Sequence, residues 1–322
     1  SQQTVLLNEI KILFASLLSM NNTFEKSQNY KAYLVLVLTT LFWSGNFIAG
    51  KFASSFNIPP FSLNFYRWLL AGLILLPLTY KEILDFRSEI FKNLGSFLIL
   101  GISSITIFNS IVYYSLNYTQ VINGVLLIST IPVWIIVVST ILKVEKSNIY
   151  QIIGVSLSLL GVIFIITKAD LNLIISLDFN KGDLSMIVAM FSWAIYSAFL
   201  KKQKFKISQF ALLEIIIIIG LIFLTPVFLF ELSHGKVVKP NISFFMILTY
   251  VVIFPSLLAY FFYIKGISII GANRSGAFLH LMPIFGAIMA LIIFNEKFMY
   301  YHFLGVICII AGITLSNKKL NN

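Results

Sequence analysis

VINGVLLISTIPVWIIVVSTILKVEKSNIYQIIGVSLSLLG (Val121–Gly161) and ANRSGAFLHLMPIFGAIMALIIFNEKFMYYHFLGVICIIAG (Ala272–Gly312) read as two copies of one pattern. A constant offset of 151 pairs Pro132 with Pro283, Glu145 with Glu296, Lys146 with Lys297, Gly154 with Gly305 and Gly161 with Gly312. An offset of 150 pairs Trp43 with Trp193 and Lys51 with Lys201. Chance rarely keeps five such pairs in one register, so internal duplication is settled before any site is sought.

Each copy consists of long apolar runs around a short charged turn, and the rest of the chain follows suit. Of its 322 residues 59% are hydrophobic and 11% are charged, where a soluble domain carries roughly 25% charged residues. A soluble core could not hide that much apolar surface, so the surrounding medium must be apolar. The net charge of +11 does not point to nucleic acid: the basic residues fall between apolar runs instead of forming a stripe with interleaved aromatics. One cysteine, Cys308, and three scattered histidines, His234, His280 and His302, give neither a disulfide framework nor a spaced metal cluster. No cofactor is expected.

The expected spans are 33–53, 61–79, 93–115, 121–142, 149–167, 182–200, 208–230, 242–264, 272–294 and 299–316. Each approaches the roughly 20 residues that a helix needs to cross the hydrocarbon layer, and none shows the short alternating strands of a barrel. The expectation is an all-α polytopic membrane protein of ten transmembrane helices. The tightest turns fall at Asn117 to Gln120 and Lys265 to Arg274. Lysine and arginine concentrate in alternate segments (Lys81, Arg87 and Lys92; Lys143 and Lys146; Lys201 to Lys206; Lys265 and Arg274; Lys318 and Lys319), which orients both termini to the cytoplasm. The cell membrane, the inner membrane in a bacterium, is the expected location. Residues 1–30 stand apart as an interfacial or disordered extension: the run at 12–20 is too short to span and lacks the cationic start of a signal peptide. The start at Ser1, with Met20 before a polar stretch, leaves open whether residues 1–20 are natural sequence.

Five spans per copy is an odd number, so the second copy enters the membrane from the other side. The expected domains are a first five-helix repeat at 31–167, a linker at 168–181, an inverted second repeat at 182–316 and a tail at 317–322. Inverted repeats recur in secondary transporters, where two similar halves rock around a site between them. The residues FWSGNFIAGKF (Phe42–Phe52), NFYRWLLAGLILLP (Asn64–Pro77), Ile131-Pro132 followed by EKSNIYQIIG (Glu145–Gly154), and GANRSGAFLHLMPIFG (Gly271–Gly286) followed by NEKFMYYHFLG (Asn295–Gly305) carry a resemblance. Over roughly residues 31–316 the chain resembles the EamA family of the drug/metabolite transporter superfamily. The resemblance implies ten helices and export of small metabolites such as amino acids or amphiphilic and cationic compounds. The family's paired glutamates usually follow glycine; here they follow Val144 and Asn295.

Polar groups inside spans need partners or a wet cavity. Trp43, Asn46 and Gly50 share one helix face, and Trp193, the counterpart of Trp43, shares its face with Tyr196; such an aromatic pair suits a flat, partly apolar or cationic solute. Asn109 and Tyr113, an i, i+4 pair, and Tyr260 supply amide and phenol groups. His280 offers either a solute or proton contact or a tie between helices. These eight are the candidate substrate-binding residues, each with helix-to-helix packing as the competing reading. Arg67 is placed near the external end of its span, where it snorkels to headgroups, closes an external gate or attracts an anionic group. Glu214, shallow in its span and within reach of Lys206, is the candidate for proton coupling. Pro77, Pro132, Pro226, Pro255 and Pro283 interrupt helical hydrogen bonding.

The preferred function is a secondary active transporter that is not an enzyme, acting on a small-molecule solute among membrane lipids, with protons as the coupling ion, as a monomer or weak homodimer. No GxxxxGK[ST] phosphate loop occurs. The rivals are a membrane enzyme acting on lipid-linked substrates, for which no catalytic constellation is found, and a non-transporting scaffold.

Overall fold

The computed structural model describes residues 2–118, 121–170, 172–175, 180–294 and 299–318, with side chains from residue 27 onward except at a few helix positions beside the remaining segments. Among them the chain is helical throughout: α1 (Gln2–Ser55), α2 (Pro60–Asp85), α3 (Leu94–Ser115), α4 (residues 121–141), α5 (Ile149–Ile166), α6 (Lys181–Lys202), α7 (Gln209–Ser233), α8 (Ile242–Ile270), α9 (residues 272–294) and α10 (Tyr300–Ser316), with short helices at Arg87–Lys92 and Asn172–Ile175. Helices are the local solution when no water is available, because each closes its own backbone hydrogen bonds. Eight of them are long and apolar enough to cross a membrane, and α10 is a shorter apolar helix of 17 residues.

Side chains are sorted for lipid. Leu78 (77% exposed), Met246 (67%) and Ile222 (60%) point outward, while Arg67, Asn64, Asn109, Glu214 and His280 are buried. That distribution inverts the soluble pattern and makes the chain a multi-pass membrane protein.

Three features differ from expectation. The backbone of residues 2–55 is one 54-residue helix, with no break before the first span. The turn between α8 and α9 is tighter than Lys265 to Arg274: α8 continues to Ile270, and Gly271, at φ +91°, reverses the chain alone. Such a φ is open to glycine without steric cost. The third and eighth spans each contain a π-helical stretch, Ile102–Asn109 in α3 and Val252–Leu258 in α8. The turn after α3 does fall at Asn117, while Gln120, Asn295, Glu296 and Lys297 lie outside the described residues.

Two contacts hold the frame. Helices α5 and α10 run antiparallel with their backbones touching: a Cβ on Gly154 would lie 2.5 Å from the Gly312 carbonyl oxygen, and one on Gly161 would lie 2.6 Å from that of Gly305. Small residues allow that approach, the usual source of helix association in lipid. Helices α2 and α7, also antiparallel, cap one another. Glu231, near the end of α7, accepts from Ser62 N (2.6 Å), Ser62 Oγ (2.7 Å) and Phe61 N (3.3 Å) at the start of α2. Glu82, near the end of α2, accepts from Ser208 N (2.5 Å) and Ser208 Oγ (2.6 Å) at the start of α7. A carboxylate at a helix start satisfies unpaired N–H groups and meets the positive end of the helix dipole.

Glu231 is buried and the Glu82 contacts are exposed. Glu231→Ala is therefore expected to destabilise the detergent-purified protein by about 1–3 kcal/mol, the cost of stranding buried donors. Glu82→Ala is expected to cost less than about 1 kcal/mol. Equal shifts of the two thermal midpoints would show that burial does not set the strength of the clamp.

Candidate central cavity

Seven helices meet at one narrow space. Trp43, Asn46 and Phe47 reach it from α1, Arg67 from α2, Phe108, Asn109 and Val112 from α3, and Ile128 and Ile131 from α4. Trp193 comes from α6, Tyr260 from α8, and Leu279 and Met282 from α9. The cavity measures about 40 Å³, room for a few waters where each needs roughly 10–15 Å³. Most of its lining is buried, with Asn46, Phe108 and Met282 partly exposed.

Arg67 organises this space. It is the eighth residue of α2 and 1% exposed, so the snorkelling position expected from the span boundaries is wrong: neighbouring helices cover the side chain before it can reach headgroups. Its Nη1 donates to Asn109 Oδ1 (2.9 Å) and Tyr113 Oη (2.8 Å), with Asn46 Oδ1 farther off at 3.5 Å, and its Nε donates to Ser256 Oγ. The guanidinium also lies 4.9 Å from the Trp68 ring centroid, within cation–π range.

The π-helical stretches supply what orients these partners. Where a ladder widens from i−4 to i−5, carbonyls are left for side chains. Asn109 Nδ2 donates to Ser104 O (2.7 Å) and to Tyr260 Oη (2.6 Å). Asn64 Nδ2 takes Ile105 O (3.1 Å) and Ser192 Oγ takes Ser103 O (2.7 Å). In α8, Ser256 Oγ donates to Val251 O (2.6 Å), the carbonyl that Pro255 cannot serve, and Trp43 Nε1 donates to Pro255 O (3.0 Å).

Aromatic rings form the opposite wall. Trp43 and Trp193 meet edge to face with centroids 5.1 Å apart, and Phe108 lies 4.5 Å from Trp193. Tyr196 is fully buried behind Trp193, at 4.8 Å between centroids, and is not in the lining. Tyr113 acts through Arg67 and through a 2.8 Å bond to Asn46 Oδ1.

Two candidates lie elsewhere. His280 sits in a 3₁₀ turn of α9, Phe278–His280. Its Nε2 meets the Ser129 carbonyl (2.8 Å) and its Nδ1 meets Ser158 Oγ (2.5 Å). A carbonyl only accepts, so Nε2 carries a proton, while Nδ1 pairs with a Ser158 hydroxyl that also lies 3.1 Å from Val155 O. Ser129 O is available because α4 also breaks there, Val133 N–H turning to Thr130 O (3.0 Å) just past Pro132. His280 thus ties α9 to α4 and α5. Glu214, buried in α7, faces Gly72 of α2, and its Oε2 has no partner among the described residues; the expected Lys206 contact is not formed.

Glu145, between α4 and α5, accepts from Ala272 N (2.9 Å) at the start of α9. Burial pushes its carboxyl above the ordinary carboxylate range, against the opposing pull of the Asn273 and Ala272 N–H groups and of Lys201 and Arg274. Among the described residues no group of three or more His, Cys, Asp or Glu could hold a metal.

Ser256, Phe108, Met282 and Tyr263 had not been picked out. Tyr263 stands 150 residues after Tyr113, the offset that pairs Trp43 with Trp193, and its Oη lies 2.9 Å from Ser197 Oγ; that offset would have found it.

A polytopic helical membrane protein built around a small polar and aromatic cavity is the class these features define. The chain belongs to the EamA-like transporter family, whose model matches residues 30–167 and again 180–318. It is 31% identical to an uncharacterized transporter of Archaeoglobus fulgidus, over 90% of this chain and 99% of that one. It is also similar to two uncharacterized transporters of Bacillus subtilis: YyaM, 24% identical over 87% of this chain and 92% of the relative, and YetK, 26% identical over 89% and 88%. A solved crystal structure, 15% identical, shares the fold with a TM-score of 0.66 over 88% of this chain and 95% of that chain. The relatives bear transporter names, and a transport role follows for this chain.

His280→Leu leaves the Ser129 carbonyl and the Ser158 hydroxyl without the ring. A loss of about 1–3 kcal/mol is expected on thermal unfolding of the purified protein; an unchanged midpoint would free His280 for another role.

Proposed function

We propose that the chain is a secondary active transporter working by alternating access, with ten spans in two inverted five-helix repeats at 31–167 and 182–316. The narrow central cavity carries this reading: polar side chains converge on it from both stretches matched by the family model. At about 40 Å³ it is far below the roughly 300–1,000 Å³ of a ligand pocket. The reading is therefore of an occluded form, from which the halves separate to admit a solute on either side.

Several correspondences support the inverted arrangement. The π-helical stretches begin at Ile102 and Val252, 150 residues apart. Pro77 and Glu82 of α2 match Pro226 and Glu231 of α7 at an offset of 149. The breaks in α4 and α9 face each other through Ser129 and His280, which are 151 apart. Helices α9 and α10 complete the ten spans. The lysine and arginine bias supports cytoplasmic termini in a cell membrane, family likeness supports export, and the working unit in this reading is a monomer or weak homodimer.

In this reading Trp43, Asn46, Asn109, Trp193 and Tyr260 contact solute, Tyr113 and Tyr196 back them, and Arg67 is an inner polar anchor. Glu214, a buried carboxyl with an unpartnered oxygen, is the proton-coupling group.

Flux into proteoliposomes, measured with a panel of labelled amino acids, organic acids and organic cations, tests transport. Saturable uptake of at least one solute is expected, and its absence across the panel would remove the reading. Trp43→Ala and Trp193→Ala are each expected to raise KM about tenfold, as lost aromatic contact worth roughly 1.4 kcal/mol would; unchanged kinetics in both folded variants would remove the aromatic pathway. Glu214→Gln is expected to abolish acceleration by an imposed pH gradient while exchange without a gradient persists. Retention of that acceleration would exclude Glu214 as the coupling group.

A further inference from the structure

The Arg67 guanidinium sits at the cavity with a charge that its partners solvate but do not neutralise. Asn109 spends both amide hydrogens on Ser104 O and Tyr260 Oη, so its Oδ1 faces the guanidinium. Tyr113 gives its hydrogen to Asn46 and Ser256 gives its hydrogen to Val251 O, so both hydroxyl oxygens also face Arg67. All these acceptors are neutral. Glu214, the buried carboxylate of α7, faces Gly72 instead, five residues farther along α2. Among the described residues Nη2 has no hydrogen-bond acceptor, and Arg67 lines the cavity.

A buried charge is costly unless an opposite charge meets it. An arginine remains charged at any ordinary pH, and its N–H groups make charge-assisted hydrogen bonds to a carboxylate. Neutral oxygens occupy Nη1 and Nε and leave Nη2, with its two hydrogens, for a ligand. We propose that the transported solute carries a carboxylate, or an anionic group of similar geometry, that pairs with Arg67 in the central cavity, its apolar body lying against Trp43, Trp193 and Phe108. Organic cations without an anionic group are rejected by the same charge, although the aromatic wall alone would suit them. The inference rests on the cavity being the solute site, and it selects among the solutes that family likeness allows.

The test uses three probes of one shape: benzoate, benzamide and benzylammonium. Binding to the purified full-length protein in nanodiscs is followed by quenching of tryptophan fluorescence. Benzoate is expected to bind about tenfold or more tightly than either analogue, the factor a charge-assisted pair supplies. Arg67→Gln is expected to erase that preference and Arg67→Lys to retain part of it. Asn109→Asp provides a second route: it places a carboxylate on Nη1, pairs the charge internally, and is expected to lose the benzoate preference while keeping the guanidinium that holds the helices together. Benzoate binding no better than benzamide, or surviving unchanged in folded Arg67→Gln or Asn109→Asp, would overturn the proposal.

Flux separates this inference from the transport reading beneath it. Saturable transport confined to cations would overturn the carboxylate proposal and leave transport standing. Arg67-dependent benzoate binding, with no saturable flux of any solute in the panel, would support the carboxylate site and remove transport.

Discussion

A guanidinium held inside a lipid-spanning bundle by neutral oxygens sets the terms for the rest of the molecule. Arg67 draws on three helices besides its own: α1 through Asn46, α3 through Asn109 and Tyr113, and α8 through Ser256. Those helices must therefore stay close enough to solvate one ion, and their polar atoms must point inward when the medium outside is hydrocarbon. The outer surface of bulky aliphatic groups, such as Leu78 and Met246, and the narrow polar centre are two sides of that constraint.

Regular helices alone would not meet it. In a straight α-helix each interior carbonyl already accepts an N–H, so Ser and Thr can only share the carbonyl of their own preceding turn, as Ser44 and Ser197 do. The widened stretches in α3 and α8 offer Ser103, Ser104, Ile105, Val251 and Pro255 as acceptors at the level of the cavity. The amide of Asn109 is thereby fixed in one orientation, and so is the face it shows to Arg67. The breaks in α4 and α9 work similarly at a smaller scale, one providing the Ser129 carbonyl and the other the histidine that takes it.

What could be read from the sequence follows from what hydropathy and repetition record. Long apolar runs locate helices well, because crossing hydrocarbon imposes length and composition together. The repeat brought Trp43 and Trp193 onto one cavity wall, since equivalent positions in similar units tend to share an environment. Arg67 was misplaced because depth was judged from the span boundary, whereas its burial comes from α3 and α8, far off in the sequence. His280 stayed ambiguous for the same reason: the Ser129 and Ser158 groups that occupy its two nitrogens belong to other helices. Neither π-helical stretch was expected, as widening a turn leaves apolar content unchanged. Glu231 was left outside its span by a single residue, and its role appears only when α2 lies alongside α7.

The glycine crossing of α5 and α10 has a further consequence. Gly154 meets Gly312 while Gly161 meets Gly305, and the repeat equates Gly154 with Gly305 and Gly161 with Gly312. Exchanging equivalent positions turns each contact into the other, so the surface is complementary to itself. One unit carrying a single copy of this helix would already match a second unit lying in the opposite direction. A Cβ at any of the four glycines would meet backbone of the facing helix, so both helices need bare backbone at the same two crossings.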